Sequence, residues 1–501
     1  MILKVWLSPL FLLVQEGMGA EDPVREMTLG ASYRSEIDQP LSGVKLPESL
    51  QKLTFGKYFN QPLGGILWPD SLKEIRFDNV DLVHFISEGK DSGFNRPIAD
   101  VTWPASLEIL VFGHRFNKPV VDVTWPASLR QLSFGYSFNG RIDEVVWPVS
   151  LQELSLGSSF TQPIAEVVWP AALQQLEFGQ KFNLPVAGVV WPASLQQLSF
   201  GHHFNQSMAE VVWPASLRNL SFKFDFNQPV AEVVWPESLQ QLEFGQNFNQ
   251  PIAGVVWPAS LRQLSFGRDF NQSIAKVVWP ASLQRLMLGT NFNQPIVEVA
   301  WPASLKQLSF AIDFNQPIIG AEWPASLQQL SLGKRFNQPI TGVNWPASLE
   351  KLHIPQHFNQ PIEEVVWPAS LQELSFGSQF DQPIAGVMWP ASLQQLSLGH
   401  SFNQPIAGVA WPASLEKLVF SHRFNQPIAD VVWPTSLQTL TFGFEFSQPI
   451  SEVEWPASLQ ELHFGNYFDL PLGEVVWPDS LVSLTRGTHA QPIVRAGTSI
   501  K

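Results

Sequence analysis

The sequence contains no cysteine, so neither disulfide bonds nor thiolate chemistry is open to it. Packing and hydrogen bonds must hold the chain together. Charge is scarce too: Asp, Glu, Lys and Arg make up 15% of the 501 residues, well below the roughly 25% of ordinary globular chains. Positive charge is the scarcer sign, with 30 Lys and Arg against 44 Asp and Glu and a formal net charge of −14. Such a chain repels phosphate backbones and has no basic aromatic platform, so no nucleic-acid partner is expected. No apolar run is long enough to span a bilayer, and no transmembrane segment is expected. Tyrosine occurs only four times, yet phenylalanine occurs 37 times and tryptophan 20 times, and 45% of residues are hydrophobic. That balance excludes a disordered chain.

What fills the chain is a repeat. WPESLQQLEFGQNFNQPIAGVV occupies Trp235 to Val256, and close copies run in steps of 22 from Trp103 to Trp477. Trp68 stands one repeat plus thirteen residues before Trp103, and Leu46-Pro47 takes the Trp-Pro place 22 residues before Trp68. That gives twenty units. Length alone would suggest about three ordinary domains, but short units grow by stacking and do not close separate cores.

Counting the tryptophan as position 1, leucine holds position 5 in every unit and position 8 in all but one, where Ile75 stands. Phenylalanine holds position 14, as Phe248 does, until Ala490. Prolines at positions 2 and 17 leave no window for an ordinary helix. Positions 7 to 10, Gln241 to Phe244, alternate polar and apolar as a half-buried strand does. Positions 17 to 22 read as extended, a second short strand or a polyproline-like edge. Each coil then presents an apolar stripe that it can bury only against neighbours about 4.8 Å away. The expected fold is a β-rich solenoid of about twenty 22-residue coils with little or no α-helix.

Glycine occupies position 11 in fifteen of twenty units, with Asp78, Lys223, Ala311, Pro355 and Ser421 in the others. Since proline is tolerated there, the site calls for close backbone approach and not for a left-handed backbone. The Asn-Gln pair at positions 15 and 16 is expected to satisfy backbone groups of neighbouring coils.

The motif LP-x-SL-x-x-L-x-F-G-x-x-FNQPI resembles the FNIP repeat, a unit related to leucine-rich repeats, and LPESLQKLTFGKYFNQPL from Leu46 to Leu63 carries it most fully. The resemblance implies a leucine-rich-repeat-like solenoid and, by analogy, a protein-interaction role. One departure stands out. The asparagine expected three residues after the Leu239, Leu242, Phe244 core would fall at position 13, which holds almost anything, so the asparagine ladder is either missing or moved to position 15.

At the ends, residues 1–20 fit a secretory signal peptide in outline, with Lys4 before an apolar run and Gly17, Gly19 and Ala20 after it. The competing reading is a hydrophobic segment that covers the first coil; the signal is preferred, and with it secretion, the cytoplasm being the other possibility. Residues 21–45 read as an N-terminal cap with a degenerate coil, 46–476 as the solenoid with an insertion around 79–93, and 477–501 as the last coil and C-terminal cap. Sequons at Asn205, Asn219 and Asn271 matter only for a secreted chain.

Function is expected where the copies differ. Positions 12 and 13 vary most and carry Arg115, His202, His203, Arg268, Lys334, Arg335, His400, His422 and Arg423. Beside a floor that is mostly serine at position 9, this patchily basic rim suits a protein or peptide ligand. Acidic residues collect at position 20, from Asp100 to Glu474, and for any single residue a solvated face is the simpler account. No cofactor is expected. His400 and His422 have no third ligand at metal spacing, and no nucleophile, base and orienting group assemble from spacing alone. A catalytic site in the insertion, with Asp81, His84 and Glu88, is the remote alternative. The nearer alternative is a structural or cell-surface spacer. The expectation is a monomeric, non-enzymatic interaction scaffold.

Overall fold

The structure, a computed structural model, describes residues 3–7, 10–14, 24–29, 41–56, 59–77, 93–487 and 489–490. The chain divides into two compact units, Met1–Phe248 and Asn249–Lys501. Each is a parallel β-solenoid whose described residues contain no helix. The first unit holds β1 (Leu3–Leu7), β2 (Leu10–Val14), β3 (Glu26–Leu29), β4 (Lys52–Phe55) and one strand per coil up to β11 (Asn219–Phe222) and β12 (Gln241–Glu243). The second runs from β13 (Gln263–Ser265) to β23 (Ser483–Arg486) and β24 (His489–Ala490).

Register within each unit follows the repeat. Strand residues pair with their equivalents 22 positions away, as in Gln197↔Asn219 and Leu198↔Leu220. Three turns shape the coil, closed in the one from Trp191 by Leu195 N–H to Pro192 O, Phe204 N–H to Gly201 O, and Val211 N–H to Met208 O. The last turn corrects the sequence expectation. Positions 17 to 22 form no second strand, because the chain bends at positions 19 and 20 to bring the next tryptophan back to the core.

Between the turns every side points one stripe inward. Phe200 and Phe204 are fully or almost fully buried, their rings 4.0 Å apart, and Phe200 lies 5.5 Å from both Phe178 and Phe222. Trp169 and Trp191 stack at 6.3 Å. Strands sit about 4.8 Å apart, so equivalent atoms spread from strand to tryptophan and the sheet is the concave side of each unit. Hydrogen bonding explains the asymmetry. Coil-to-coil backbone bonds run mostly through positions 6 to 13; on the other side the described residues show Gly43 N–H to Gly65 O at position 20 and one bridge, Lys45–Leu67.

Two side-chain ladders reinforce the stack. Asn183 Oδ1 accepts the Asn205 N–H at 2.9 Å and Gln206 Nε2 at 2.9 Å, and Asn205 repeats this for Asn227 and Gln228. The asparagine ladder has moved to position 15. A serine ladder at position 4 went unread in the sequence: Ser194 Oγ donates to Leu173 O at 2.6 Å, and Ser216 to Leu195 O.

The glycine at position 11 owes its place to crowding. A Cβ on Gly201 would lie 1.8 Å from Gly179 O, and none of these glycines before Gly487 has a positive φ. Where Lys223, Ala311 or Ser421 stands instead, no hydrogen bond closes the turn onto Phe226, Phe314 or Phe424, whereas Pro355, with its fixed φ, keeps the bond from Phe358 N–H at 3.2 Å. Gly201→Ala is therefore expected to open its turn and lower stability by about 1–2 kcal/mol in urea denaturation; an unchanged midpoint would show that the turn gives way freely.

At the ends, β1 and β2 form an antiparallel hairpin, and Leu13 of β2 pairs with Thr28 of β3. β3 pairs in parallel with β4, Glu26↔Lys52 to Leu29↔Phe55. At the other end Arg486, standing where a core residue would be, donates to Phe468 O and Asp469. The insertion, apart from Gly93, and residues 491–501 lie outside the described residues.

Candidate functional site on the outward sheet face

Alternation sends positions 7 and 9 of every strand outward, so parallel stacking turns each position into a column. In the second unit β14 (Arg285–Met287), β15 (Gln307–Ser309), β16 (Gln329–Ser331), β17 (Lys351–Ile354), β18 (Glu373–Phe376), β19 (Gln395–Ser397) and β20 (Lys417–Val419) lie side by side. Their outward side chains line an open depression of about 680 Å³. Its floor is serine (Ser309, Ser331, Ser375, Ser397), and its charges are Arg285, Lys351 and Lys417 against Glu373, three minus one, or +2 in a chain of −14.

These charges are partly used. Lys351 Nζ pairs with Glu373 at 2.7 Å, and Arg285 Nε donates to Gln307 Oε1 at 2.5 Å. His353 Nδ1 shares a 2.6 Å hydrogen bond with Ser375 Oγ. Burial pushes the His353 imidazole below its ordinary pKa, so it is neutral at neutral pH. A neutral histidine on a serine invites a nucleophile-and-base reading. However, His463 makes the same 2.6 Å bond to Thr485. Stacking in register sets a histidine at position 9 against the next coil's hydroxyl wherever both occur, so the pair reports the repeat and not a catalytic device.

The predicted rim residues are the central pair of the turn after the strand. Lys334 and His400 line a second depression of about 600 Å³ that shares His353 with the first. Others are committed to neighbours: His203 Nδ1 to Asp225 at 2.7 Å, Arg335 to Asp313 at 3.0 Å, Arg268 to Asp269 at 3.2 Å, and His422 Nδ1 to Glu445 at 3.5 Å. His202 leans on Phe224 with ring centroids 5.8 Å apart, the Arg115 chain lies beside Gly93, and Arg423 is exposed. Carboxylates thus stand beside four of these rim residues, on adjacent coils for His203, Arg335 and His422 and on the same coil for Arg268, which sequence reasoning missed. His400 and His422 stack at 4.5 Å with their planes 26° apart. Faces in contact cannot aim two nitrogen lone pairs at one ion. Among the described residues no three His, Asp or Glu side chains converge as metal ligands, and no helix is long and apolar enough to cross a membrane.

The sequons resolve locally. Asn205 and Asn271 spend their Oδ1 atoms on the position-15 ladder, each accepting from the next coil's Asn N–H and Gln Nε2. Asn219 sits within β11, paired on one side with β10 (Gln197–Phe200) and on the other with β12.

Comparisons with known proteins agree with this architecture. The FNIP Repeat family matches residues 38–79, 94–137, 138–181, 226–269, 270–311, 314–357, 358–401 and 402–445. The solved structure of CroV588, described as a circular LRR protein, is 40% identical, covers 92% of this chain and 69% of its own, and superposes with a TM-score of 0.79. Toll, in the Drosophila Toll–Spätzle complex, is 12% identical and covers 91% of this chain but 63% of its own at a TM-score of 0.55, a likeness of fold alone. No curated protein matches. The repeat register, the solenoid and these matches agree: the chain belongs to the FNIP repeat family.

Proposed function

We propose that this chain is a non-enzymatic interaction scaffold that holds a protein or peptide ligand on the concave sheet face of its second unit. The observation that carries the reading is the depression across β14 to β20, where the local charge is positive and the overall charge is strongly negative. Serine hydroxyls and glutamine amides, in columns one coil apart, offer donors and acceptors to an extended chain. Arg285 and Lys417 select for acidic groups, Lys351 being paired with Glu373, and Lys334 with His400 extends the surface over the rim. Rim residues already held in ion pairs add little to affinity, because exposed pairs are weak and screened. Toll, a fold relative, is known in complex with the protein Spätzle, which supports a protein ligand by analogy.

The test is affinity capture from whole-cell extract and from cell-surface material. Wild type is compared with a variant carrying Arg285→Gln, Lys334→Gln, Lys351→Gln and Lys417→Gln, and with reversals at Arg115, Lys334, Arg335 and Arg423. Partners held by wild type are expected to be lost by at least about ten-fold in the groove variant. Partners kept by both variants would overturn the reading, and no specific partner in either fraction would favour a structural spacer.

A further inference from the structure

Away from its own sheet, the first unit carries an apolar surface that plays no part in the concave-face reading. Position 22 precedes each tryptophan, and its side chain points away from the core. Val146, Val168, Val190, Val212 and Val234 occupy it on five consecutive coils, each between 78% and 80% exposed. Val149, exposed by 79%, widens the band at position 3. Soluble chains rarely leave contiguous apolar surface uncovered over many residues, and such surface marks an interaction site. In the second unit the same position holds Val256 and Val278, then Ala300, Glu322 and Asn344, and then Val366, Met388, Ala410 and Val432, so its apolar runs are shorter than the five valines of the first unit.

Beside the valines runs a row of acids at position 20: Glu144, Glu166, Glu210 and Glu232, broken at Gly188. Arg141 answers Asp143 and Glu144 at one end. Counting Asp143 with the four glutamates against Arg141, five minus one, the border has a net charge of −4. A second copy of this surface would set acid against acid. A partner with apolar side chains and basic flanks is complementary on both counts.

Spacing chooses the partner's conformation. The tryptophans that follow the valines in sequence repeat with ring centroids 6.3–6.5 Å apart, as the pairs Trp125–Trp147, Trp169–Trp191 and Trp213–Trp235 show. Alternate side chains of an extended strand repeat every 6.4–6.8 Å or so. A helix offers about 4.5 or 6.0 Å for three or four residues and drifts out of phase. The valine row therefore matches every second residue of a strand lying along it.

We propose that Val146, Val168, Val190, Val212 and Val234, with their acidic border, dock an extended basic segment of a partner protein that carries apolar residues at every second position.

The test titrates the full chain with a fluorescent peptide of about nine residues, long enough to span five coils, alternating valine and lysine. Comparison peptides alternate valine with glutamate and glycine with lysine. Binding of the valine–lysine peptide is expected, with at least about ten-fold weaker binding to Val190→Asn/Val212→Asn and to Glu166→Gln/Glu210→Gln/Glu232→Gln, each checked for an unchanged denaturation midpoint. The glycine–lysine peptide is expected to bind at least about ten-fold more weakly, and the valine–glutamate peptide not at all. No binding of the valine–lysine peptide, equal binding of the glycine–lysine peptide, or binding unchanged in the valine variant would each overturn the proposal. So would a dimer in sedimentation that the valine variant abolishes, since the row would then belong to a second copy. The groove variant should leave this binding intact, which separates its failure from that of the concave-face reading.

Discussion

Phe248→Ala is expected to destabilise the chain by about 3–5 kcal/mol. The ring is fully buried, 4.2 Å from Phe244 and 6.1 Å from Phe226. Removing it deletes transfer energy and leaves a cavity whose walls are rings on coils already tied to their neighbours by backbone ladders. Such walls relax little, which places the cost at the upper end for large-to-small changes. Phe248→Leu keeps most of the volume and is expected to cost under about 1.5 kcal/mol. Urea denaturation decides the matter, with the slope compared as well as the midpoint, because repeat arrays can lose cooperativity. A loss under about 1 kcal/mol for the alanine variant would contradict the core placement.

Much of this architecture was legible because the repeat makes one decision twenty times. Leu242 and Phe244 alternate with Gln241 and Glu243, so one strand assignment fixed the inward side of every coil, and the buried Leu242 and Phe244 bear it out. Pro355 at position 11 ruled out a demand for positive φ there, and the crowding at Gly201 is the reason glycine is otherwise preferred. The bend at positions 19 and 20 was not legible. Proline at position 17 and β-branched residues at 21 and 22 look extended one by one. The turn arises because the inward side chains at positions 18 and 21, such as Ile252 and Val255, must both reach a core only one coil wide.

The candidate surfaces were less legible, because charge on a solenoid belongs to columns and not to words in the sequence. Arg335 reads as a free cation until stacking sets Asp313 of the preceding coil beside it. Val255 and Val256 are indistinguishable as letters, yet one is 4% exposed and the other 79%. Only the alternation Val255-in, Val256-out, Trp257-in exposes the difference. The same logic hides the depression across β14 to β20, since its cations lie on coils far apart in sequence.

Asn293→Leu is expected to cost about 2–3 kcal/mol, and Asn293→Asp less than about 0.5 kcal/mol. Asn293 Oδ1 accepts the Asn315 N–H at 2.9 Å and Gln316 Nε2 at 3.1 Å, and its own N–H donates to Asn271 Oδ1 at 2.9 Å. Leucine has similar bulk but no acceptor, so a half-buried backbone N–H on the next coil is orphaned and a glutamine loses its anchor. Aspartate keeps the oxygen. The chain already contains this experiment: Asp381 takes the same position and accepts Asn403 N–H at 2.9 Å and Gln404 Nε2 at 3.0 Å. If both variants cost the same, the amide's donor or its shape would be what matters, and the acceptor ladder would have to be abandoned as the cause. If only leucine is costly, position 15 supplies the acceptor that ties one coil to the next, while Asn291 at position 13 of this coil donates to Asp269 of the preceding one.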